Sequence, residues 1–273
     1  MNEMDTNAAV RKEPPKLSRR LAALAEWVPQ GARFADIGTD HALLPVYLAT
    51  NGDIVYAVAG DIHDGPVEAA RKQVADAGLD GIVVVRKGDG LEVLEPGEVD
   101  AVTIAGMGGS LMARILEQGK NKLGAAKTLV LSPHVAEEAV RRWLVKMSYV
   151  LDRERLLEEE GVIYTLLRAT KVEDANAAAL ANKRLYDAGK QASGNVQLSD
   201  SLLYDMGPHL LQEASPIFLK KWEQEIAKRE RVILQLKHAT APEAAEKARE
   251  WEEDVREIQE VLSCLREAKQ SSN

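Results

Sequence analysis

Acidic residues, a glycine and a histidine stand together where the first apolar run of the chain ends. The segment FADIGTDHALLP, at positions 34–45, contains four of them in close spacing: Asp36, Gly38, Asp40 and His41. Gly38 lets the backbone approach a ligand closely, whereas two carboxylates repel a diphosphate and attract an ammonium group or a ligand bearing hydroxyls. The segment therefore favours a zwitterionic or sugar-bearing ligand over a dinucleotide. A purely structural alternative, in which Asp36 only accepts a hydrogen bond at a strand end, fits the segment equally well.

Acids and glycines also follow the next three apolar runs. Asp61 comes after the second run, at the distance downstream where nucleoside sites hold ribose hydroxyls. Asp89 follows the third run in a tight turn and is suited to accept a hydrogen bond from the amino group of adenine. After the fourth run, the small residues of the stretch AGMGG at 105–109 bare the backbone, and Met107 offers a polarizable wall. Each turn alone fits a solvated loop, but together they predict a nucleoside-binding edge.

The elements that must position these residues alternate between strand and helix. Apolar runs bounded by glycine or aspartate predict strands at 33–37, 54–59, 82–86, 99–105 and 128–131. Helical patterns lie between them, at 44–50, 66–77, 110–118 and 136–146. Alternation of this kind predicts a parallel sheet with helices on both faces. Two further runs, at 150–157 and 162–170, flank a polar turn and are expected to pair as an antiparallel hairpin.

The flanking segments differ from this core in composition. We expect a disordered arm over 1–16, one domain over 17–170, a linker with weak helix over 171–200 and a helical domain over 201–273. In the helical domain, apolar residues recur at helical spacing in two stretches separated by 239–242, which predicts an antiparallel coiled-coil hairpin. The first predicted helix of the hairpin carries a basic run that includes Lys220, Lys221, Lys228 and Arg229. These charges fit an RNA contact or, alternatively, a solvated face with cross-helix ion pairs.

Composition limits the class of protein. The chain has 273 residues, a net charge of −8 and a single cysteine, Cys264, which excludes a disulfide framework and argues against a surface that binds nucleic acid everywhere. The first residues lack a signal-peptide core and no stretch of about 18 apolar residues is present, so we expect a cytoplasmic protein without a membrane span. Scattered histidines without cysteine partners predict no metal site. We expect a monomer or a weak homo-oligomer.

Joined together, these motifs resemble one family. The segments LSRRL at 17–21, ADIGTDHALLP, GDIHDGP, VRKGDGLEVLEPGEVD and TIAGMGG, followed by a helical-hairpin tail, are similar to the bacterial tRNA (adenine(22)-N(1))-methyltransferases, the TrmK family. The similarity is close over 17–170 and in outline over 202–265. It implies an α/β fold with the Rossmann-like sheet of class I S-adenosyl-L-methionine (SAM)-dependent methyltransferases and a C-terminal α-helical coiled-coil hairpin. It also implies SAM-dependent methylation of N1 of an adenosine in tRNA.

The resemblance also assigns roles to residues. It implies cofactor contacts from the first helix and from the turns after the strands: Arg20, Asp36, Gly38, Asp40, His41, Asp61, Ile62, Asp89, Gly90, Ala105 and Gly106. Asp40 is also the candidate catalytic residue, because a carboxylate would stabilise the cationic methylated adenine. For tRNA, the candidates are Met107 and a set of cations: Arg19, Lys220, Lys221, Lys228 and Arg229. The segment 171–200 departs from the family pattern, so no role is transferred to it.

Three other functions fit the same sequence. A SAM-dependent methyltransferase acting on another RNA, a small molecule or a protein is one of them, because a helical tail does not by itself specify tRNA. A nicotinamide oxidoreductase is disfavoured by the missing GxGxxG motif and by the terminal hairpin. The third is a non-catalytic scaffold that binds a protein through its coiled coil. Such a scaffold would bind neither SAM nor a nicotinamide cofactor.

Overall fold

The computed structural model describes residues 13–192, 194, 196, 198–239 and 242–271. Most of the predicted disordered arm at 1–16 therefore lies outside the described residues. Within them, no helix is long and apolar enough to cross a membrane. The same residues contain no group of three or more His, Cys, Asp or Glu side chains placed to hold a metal ion.

Seven strands form one sheet. They are β1 (Ala32–Ile37), β2 (Ile54–Asp61), β3 (Val83–Lys87), β4 (Ala101–Met107), β5 (Thr128–Pro133), β6 (Tyr149–Glu159) and β7 (Val162–Lys171). Their order is β3-β2-β1-β4-β5-β7-β6. β1 pairs in parallel with β2 and β4, β2 pairs in parallel with β3, and β6 and β7 pair antiparallel. The predicted α/β fold with a terminal antiparallel hairpin is confirmed, and every predicted strand end agrees with these bounds to within two residues.

The strand order reverses at β1. The chain runs from β1 to β2 and β3 on one side, and β4 then pairs with the other side of β1. At such a reversal the loops after neighbouring strands diverge and leave a crevice beyond the carboxyl ends, where open α/β sheets bind ligands. The register places Asp36 beside Ala59 on β2 and beside Thr103 on β4. Asp36 therefore stands at the reversal.

The chain divides into two compact units. The first comprises the residues up to Ala105 together with Ile115–Val130, and the second comprises Gly106–Arg114 and the residues from Leu131 onward. The first unit contains α1 (Arg19–Ala25), α2 (Leu43–Asn51) and α3 (Asp64–Ala77), and α4 (Gly109–Gln118) begins in the second unit and ends in the first. The core of the first unit is built from apolar side chains of its strands and helices, among them Phe34, Leu44 and Leu48. Because β1 is buried on both faces, its ends rather than its faces are available to a ligand.

The second unit joins the β6–β7 hairpin to a set of helices. These are α5 (Glu137–Lys146), α6 (Ala175–Ala192), α7 (Asp200–Met206), α8 (Pro208–Glu213), α9 (Pro216–His238) and α10 (Pro242–Ser271). Apolar side chains of α7 to α10 form one buried cluster, and α9 and α10 pack against each other as the predicted helical hairpin requires. A fully buried ion pair of 2.7 Å links Arg141 on α5 to Glu154 on β6. Arg141 also donates to the carbonyls of Tyr204 and Asp205, each at 2.8 Å, which fixes α7 to α5.

The segment 171–200, for which the sequence predicts a linker with weak helix, is a packed helix over most of its length. Residues of this segment form α6, a helix of 18 residues that contributes buried residues to the second unit: Ala178, Asn182, Tyr186 and Gly189. Asn182 Nδ2 donates to the carbonyl of Tyr149 at 3.0 Å. The sequence pattern concealed this helix because its buried face consists of Ala, Asn, Tyr and Gly rather than of large aliphatic residues.

A packed α6 predicts unequal effects of two substitutions on the same helix. Tyr186 is 7% exposed and stacks on Tyr204 with ring centroids 4.3 Å apart, whereas Leu180 is 50% exposed. We expect Tyr186→Ala to lower the free energy of unfolding by about 3 kcal/mol, because it removes a buried ring and leaves a cavity. The control Leu180→Ala should change it by less than about 0.5 kcal/mol. Urea denaturation measures both, and equal small effects would contradict a packed helix.

Candidate active site

Asp36 is a buried carboxylate at the carboxyl end of β1. It is 8% exposed, and Thr39 Oγ1 donates a hydrogen bond of 2.7 Å to its Oδ2 atom. The turn between these two residues is fastened to β2, because the N–H groups of Gly38 and Thr39 both donate to the carbonyl of Gly60, at 2.8 and 2.9 Å. The carboxylate is therefore held in one orientation at the sheet edge.

The surroundings of Asp36 disfavour its ionised form. Burial, reinforced by the nearby carboxylates of Asp40 and Asp61, raises its pKa to about 6, against the Thr39 hydrogen bond and the charge of Arg20, which act in the opposite direction. The half-buried Arg20 of α1 thus lies within electrostatic reach of Asp36. A carboxyl group with this pKa gains from a cationic partner, which would compensate its lost hydration.

Asp40 and His41 form the exposed part of the same turn. His41 Nε2 lies 3.3 Å from Asp40 Oδ1, and both side chains are mostly exposed. His41 and Ala42 have positive φ values of 57° and 52°, in the left-handed region that costs energy for residues with a Cβ atom. Such a costly conformation at two successive residues is typical of a loop shaped for a ligand.

Asp61 ends β2 with its carboxylate oriented by the next turn. Its Oδ1 atom accepts a hydrogen bond of 2.8 Å from the N–H of His63, and His63 Nδ1 lies 3.1 Å from the same atom. Ile62 between them is exposed. The preceding Gly60 is required sterically, because a Cβ atom there would lie 2.7 Å from Cγ2 of Val93. The turn after β3 can therefore pack against the end of β2 and bring its own acid to the same edge.

Asp89 and Gly90 border a cleft in the first unit. The cleft has a volume of about 220 Å³ and is lined by Asp89, Gly90, Leu91, Glu92, Ile115, Gln118 and Gly119. Gly90 has a φ of 54°, and a Cβ atom there would come within 2.8 Å of Ile115 Cγ2. The combination of carboxylates with apolar Ile115 and Leu91 suits a flat heterocycle that carries an amino group.

The end of β4 belongs partly to each unit. Ala105 falls in the first unit, whereas Gly106 and Met107 fall in the second. Gly106 is exposed with a φ of 81°, which bares its backbone. The carbonyl of Met107 accepts a hydrogen bond of 3.1 Å from the N–H of His134, so the loop after β5 is tied to the end of β4.

The predicted tRNA-binding cations of α9 differ in their surroundings. Arg229 is 13% exposed in its side chain and pairs with Asp205 at 2.9 Å and with Asp254 at 3.2 Å. Lys221 is also largely covered and pairs with Glu137. Lys220 and Lys228 are more exposed and pair with surface glutamates, at 2.6 and 3.5 Å respectively. Lys220 and Lys228 can exchange these partners for phosphates, whereas Lys221 and Arg229 hold the unit together. Arg19, on α1, is exposed.

The fold and the edge of its sheet define a class of enzyme. Three acids, Asp36, Asp61 and Asp89, follow three neighbouring parallel strands at the reversal of strand order. They suit an ammonium group, ribose hydroxyls and adenine, and the sheet ends in an antiparallel hairpin. This is a class I SAM-dependent methyltransferase.

Comparisons with known proteins identify the family within this class of methyltransferases. Residues 34–260 match the family described as tRNA (adenine(22)-N(1))-methyltransferase. The chain is 42% identical over 248 residues to the enzyme of that name from Bacillus subtilis (strain 168), covering 90% of this chain and 97% of the relative. The chain therefore belongs to the tRNA (adenine(22)-N(1))-methyltransferase family. The predicted family, enzyme class and SAM cofactor are confirmed.

Solved structures agree with this assignment. The crystal structure of the B. subtilis m1A22 tRNA methyltransferase TrmK superposes with a TM-score of 0.78 at 40% identity, covering 90% of this chain and 99% of that one. The Streptococcus pneumoniae protein Sp1610, solved in complex with SAM, superposes with a TM-score of 0.72 at 35% identity, covering 90% of this chain and 100% of that one.

Sequence reasoning missed Thr39 and the residues of the second unit near the end of β4. Thr39 has a recognisable signal, since a Thr three residues after a strand-end Asp is placed to bond back to it in a tight turn. Glu137 and Tyr164 have no such signal, because they come from α5 and β7 and meet other residues only through the tertiary fold.

Because the pKa of Asp36 is raised, replacing its carboxylate with a neutral amide should stabilise the protein by an amount that depends on pH. The carboxyl ionises near pH 3.8 when unfolded and near pH 6 when folded, so its ionisation destabilises the free protein increasingly from about pH 4 to pH 6, by about 3 kcal/mol above that range. We expect Asp36→Asn to raise the free energy of unfolding by up to about 3 kcal/mol at pH 8 and by about half as much at pH 5. Denaturation without cofactor measures this, and a destabilised variant at pH 8 would contradict the assigned environment.

Proposed function

We propose that this chain transfers a methyl group from SAM to N1 of adenosine 22 in tRNA. The observation that carries the proposal is the buried Asp36 at the strand reversal, a carboxylate that needs a cationic partner, in a chain of this family. The name of the B. subtilis relative, which states the same reaction, supports it. A methyltransferase of another specificity would share the cofactor site, so the target base is the part that experiment must decide.

The acidic edge would hold the cofactor. Asp36 would accept from the ammonium group, with Arg20 facing the carboxylate of the methionine part and Gly38 letting the cofactor approach the backbone closely. Asp61 binds the ribose hydroxyls beside Ile62, and Asp89 with Gly90 receives adenine in the cleft of about 220 Å³. When bound, the cofactor supplies a methyl group already activated on a sulfonium. Positioning it in line with the acceptor nitrogen then provides most of the acceleration.

The target nitrogen needs no general base. N1 of adenine carries a free lone pair and no proton once its Watson–Crick edge is exposed, so methylation creates a cation rather than releasing a proton. Asp40 and His41 lie in the exposed turn, and we assign to Asp40 the stabilisation of this developing charge. The carbonyls of Ala105 and Gly106 would accept from the amino group of the target base.

Cations on two parts of the chain would hold the rest of the tRNA. Arg19 on α1 and the exposed Lys220 and Lys228 on α9 are the candidates, and Met107 would contact the target base. The net charge of −8 requires this contact to be local. We further propose 17–170 as the cofactor-binding domain and 201–273 as the helical domain, with the cytoplasm, where tRNA is found, as the place of action.

Nucleoside analysis tests the reaction. The purified protein is incubated with SAM and bulk tRNA, the tRNA is digested and the nucleosides are identified by mass spectrometry. We expect 1-methyladenosine with the wild type, near-complete loss with Asp36→Asn, and normal activity with the control Asp80→Asn, an exposed acid outside the site. Absence of a methylated nucleoside, or formation of N6-methyladenosine instead, would refute the proposal.

The exposure of Lys228 on α9 predicts an effect of this lysine on tRNA binding. Lys228 is 59% exposed and pairs weakly, so we expect Lys228→Gln to raise the Kd for tRNA about threefold and to reduce the salt dependence of binding by about one phosphate contact. Lys72→Gln, an exposed lysine on α3, is the matched control. Filter binding at several salt concentrations measures both. Equal Kd values and salt slopes for the two variants would remove Lys228 from the tRNA surface.

A further inference from the structure

An aromatic pair lies at the loop that follows β5. The rings of His134 and Tyr164 meet edge to face, with centroids 5.6 Å apart and an interplanar angle of 62°. His134 is exposed, Tyr164 is half-buried, and Val135 beside them is 55% exposed. Exposed aromatic and apolar side chains of this kind form the surface on which unstacked RNA bases lie. None of these residues has a role in the assignments made above.

The loop that carries His134 is fixed to the end of β4. The N–H of His134 donates to the carbonyl of Met107, and the N–H of Gly109 donates to the carbonyl of Val135 at 2.7 Å. The approach is so close that a Cβ atom on Gly109 would lie 2.1 Å from the carbonyl oxygen of Ala136. Ala136 itself has a positive φ of 55°. The aromatic pair is therefore held beside the strand end that carries Met107, a candidate contact of the target base.

Lys221 connects the two segments that carry the rings. Thr165 Oγ1 donates to Glu137 Oε1 at 2.8 Å, and Lys221 Nζ donates to Thr165 Oγ1 at 2.8 Å while forming an ion pair with Glu137. Thr165 follows Tyr164 on β7, and Glu137 comes three residues after His134. The ammonium group of Lys221 thus sets the separation between the strand that carries Tyr164 and the loop that carries His134.

Glu137, the ion-pair partner of Lys221, is ionised over the working range of pH. Burial would raise the pKa of Glu137, but the charges of Lys221 and Arg141 outweigh it and hold the pKa at about 2. The Lys221 side chain is largely covered and has its two partners inside the unit. These contacts are typical of a lysine that positions neighbouring residues. They are not typical of a lysine that binds a phosphate of RNA.

We propose that His134 and Tyr164 form the platform on which the flipped target adenine stacks, and that Lys221 is the positioning residue that sets the geometry of this platform. The proposal rests on the proposed function, because a stacking platform needs a base drawn out of the RNA. It assigns Lys221, a predicted tRNA-binding cation, to the interior of the second unit. Lys220 and Lys228 keep the contact with phosphates.

Kinetics of single-ring variants test the platform. We expect Tyr164→Ala and His134→Ala each to lower kcat/KM for tRNA about tenfold or more, the usual effect of losing one stacking partner. Tyr164→Phe keeps the ring and should recover most of the activity that Tyr164→Ala loses, and His238→Ala removes an exposed histidine on α9 as the control. SAM affinity, measured by calorimetry, should stay at the wild-type value. Fluorescence of 2-aminopurine placed at the target position should be brighter in the complex with Tyr164→Ala than with Tyr164→Phe, because the ring that quenches it is gone.

The positioning role of Lys221 is tested by measuring tRNA binding and turnover separately. We expect Lys221→Gln to lower kcat while leaving the Kd and the salt slope for tRNA unchanged, Lys221→Arg to recover part of the lost turnover, and Lys237→Gln on the same helix to behave as wild type. A weaker, less salt-dependent tRNA complex would make Lys221 a phosphate contact and overturn its positioning role. A lower melting temperature with unchanged kcat at lower temperature would make it a structural residue only and overturn the role equally.

The outcomes distinguish this inference from the proposed function. If the wild type forms no 1-methyladenosine, the proposed function fails first. If the wild type forms it and both alanine variants retain kcat/KM within about twofold, the platform is refuted while the methyltransferase activity stands.

Discussion

The removal of one carboxylate from water is the constraint on which the site depends. Asp36 is buried at the end of β1, where it keeps a hydrogen bond to Thr39 and the partial compensation of Arg20. The carboxylates of Asp40 and Asp61 lie close enough to raise the pKa of Asp36. A protein selected only for stability would place a neutral side chain there, so the cost of this arrangement points to a cationic ligand that completes the set.

The sheet makes this arrangement possible through its topology. Because β2 and β4 flank β1 in parallel, the turn after β1 can be fastened to the Gly60 carbonyl while its acids stay at the strand reversal. In the second unit, charges serve a different purpose. Arg141, Lys221 and Arg229 are held in internal ion pairs that join α5, β6, α7, α9 and α10, which leaves fewer exposed cations on a chain of net charge −8.

Most of the fold could be predicted from the sequence, and the reasons for success and failure are local. The strands were predictable because apolar runs end at Gly or Asp, and the acids after them could be placed on one edge by the parallel alternation alone. The helix α6 was not, because its buried face consists of Ala, Asn, Tyr and Gly and contains no large aliphatic residue. The exposure of the α9 cations was not predictable either, since Arg229 and Lys228 are neighbours in sequence but face different surroundings. The pairing of His134 with Tyr164 depends on β7 lying next to β5 in the sheet, which spacing along the chain does not show.

The central claim, that cofactor binding ionises Asp36, can be measured as proton release. Calorimetric titration with SAM at pH 6 in two buffers of different ionisation enthalpy gives the number of protons exchanged. A carboxyl with a pKa of about 6 that becomes fully ionised on binding should release about half a proton per site at pH 6, whereas Asp36→Asn should release none. Binding at pH 6 without proton exchange, or the same exchange in Asp36→Asn, would contradict the account.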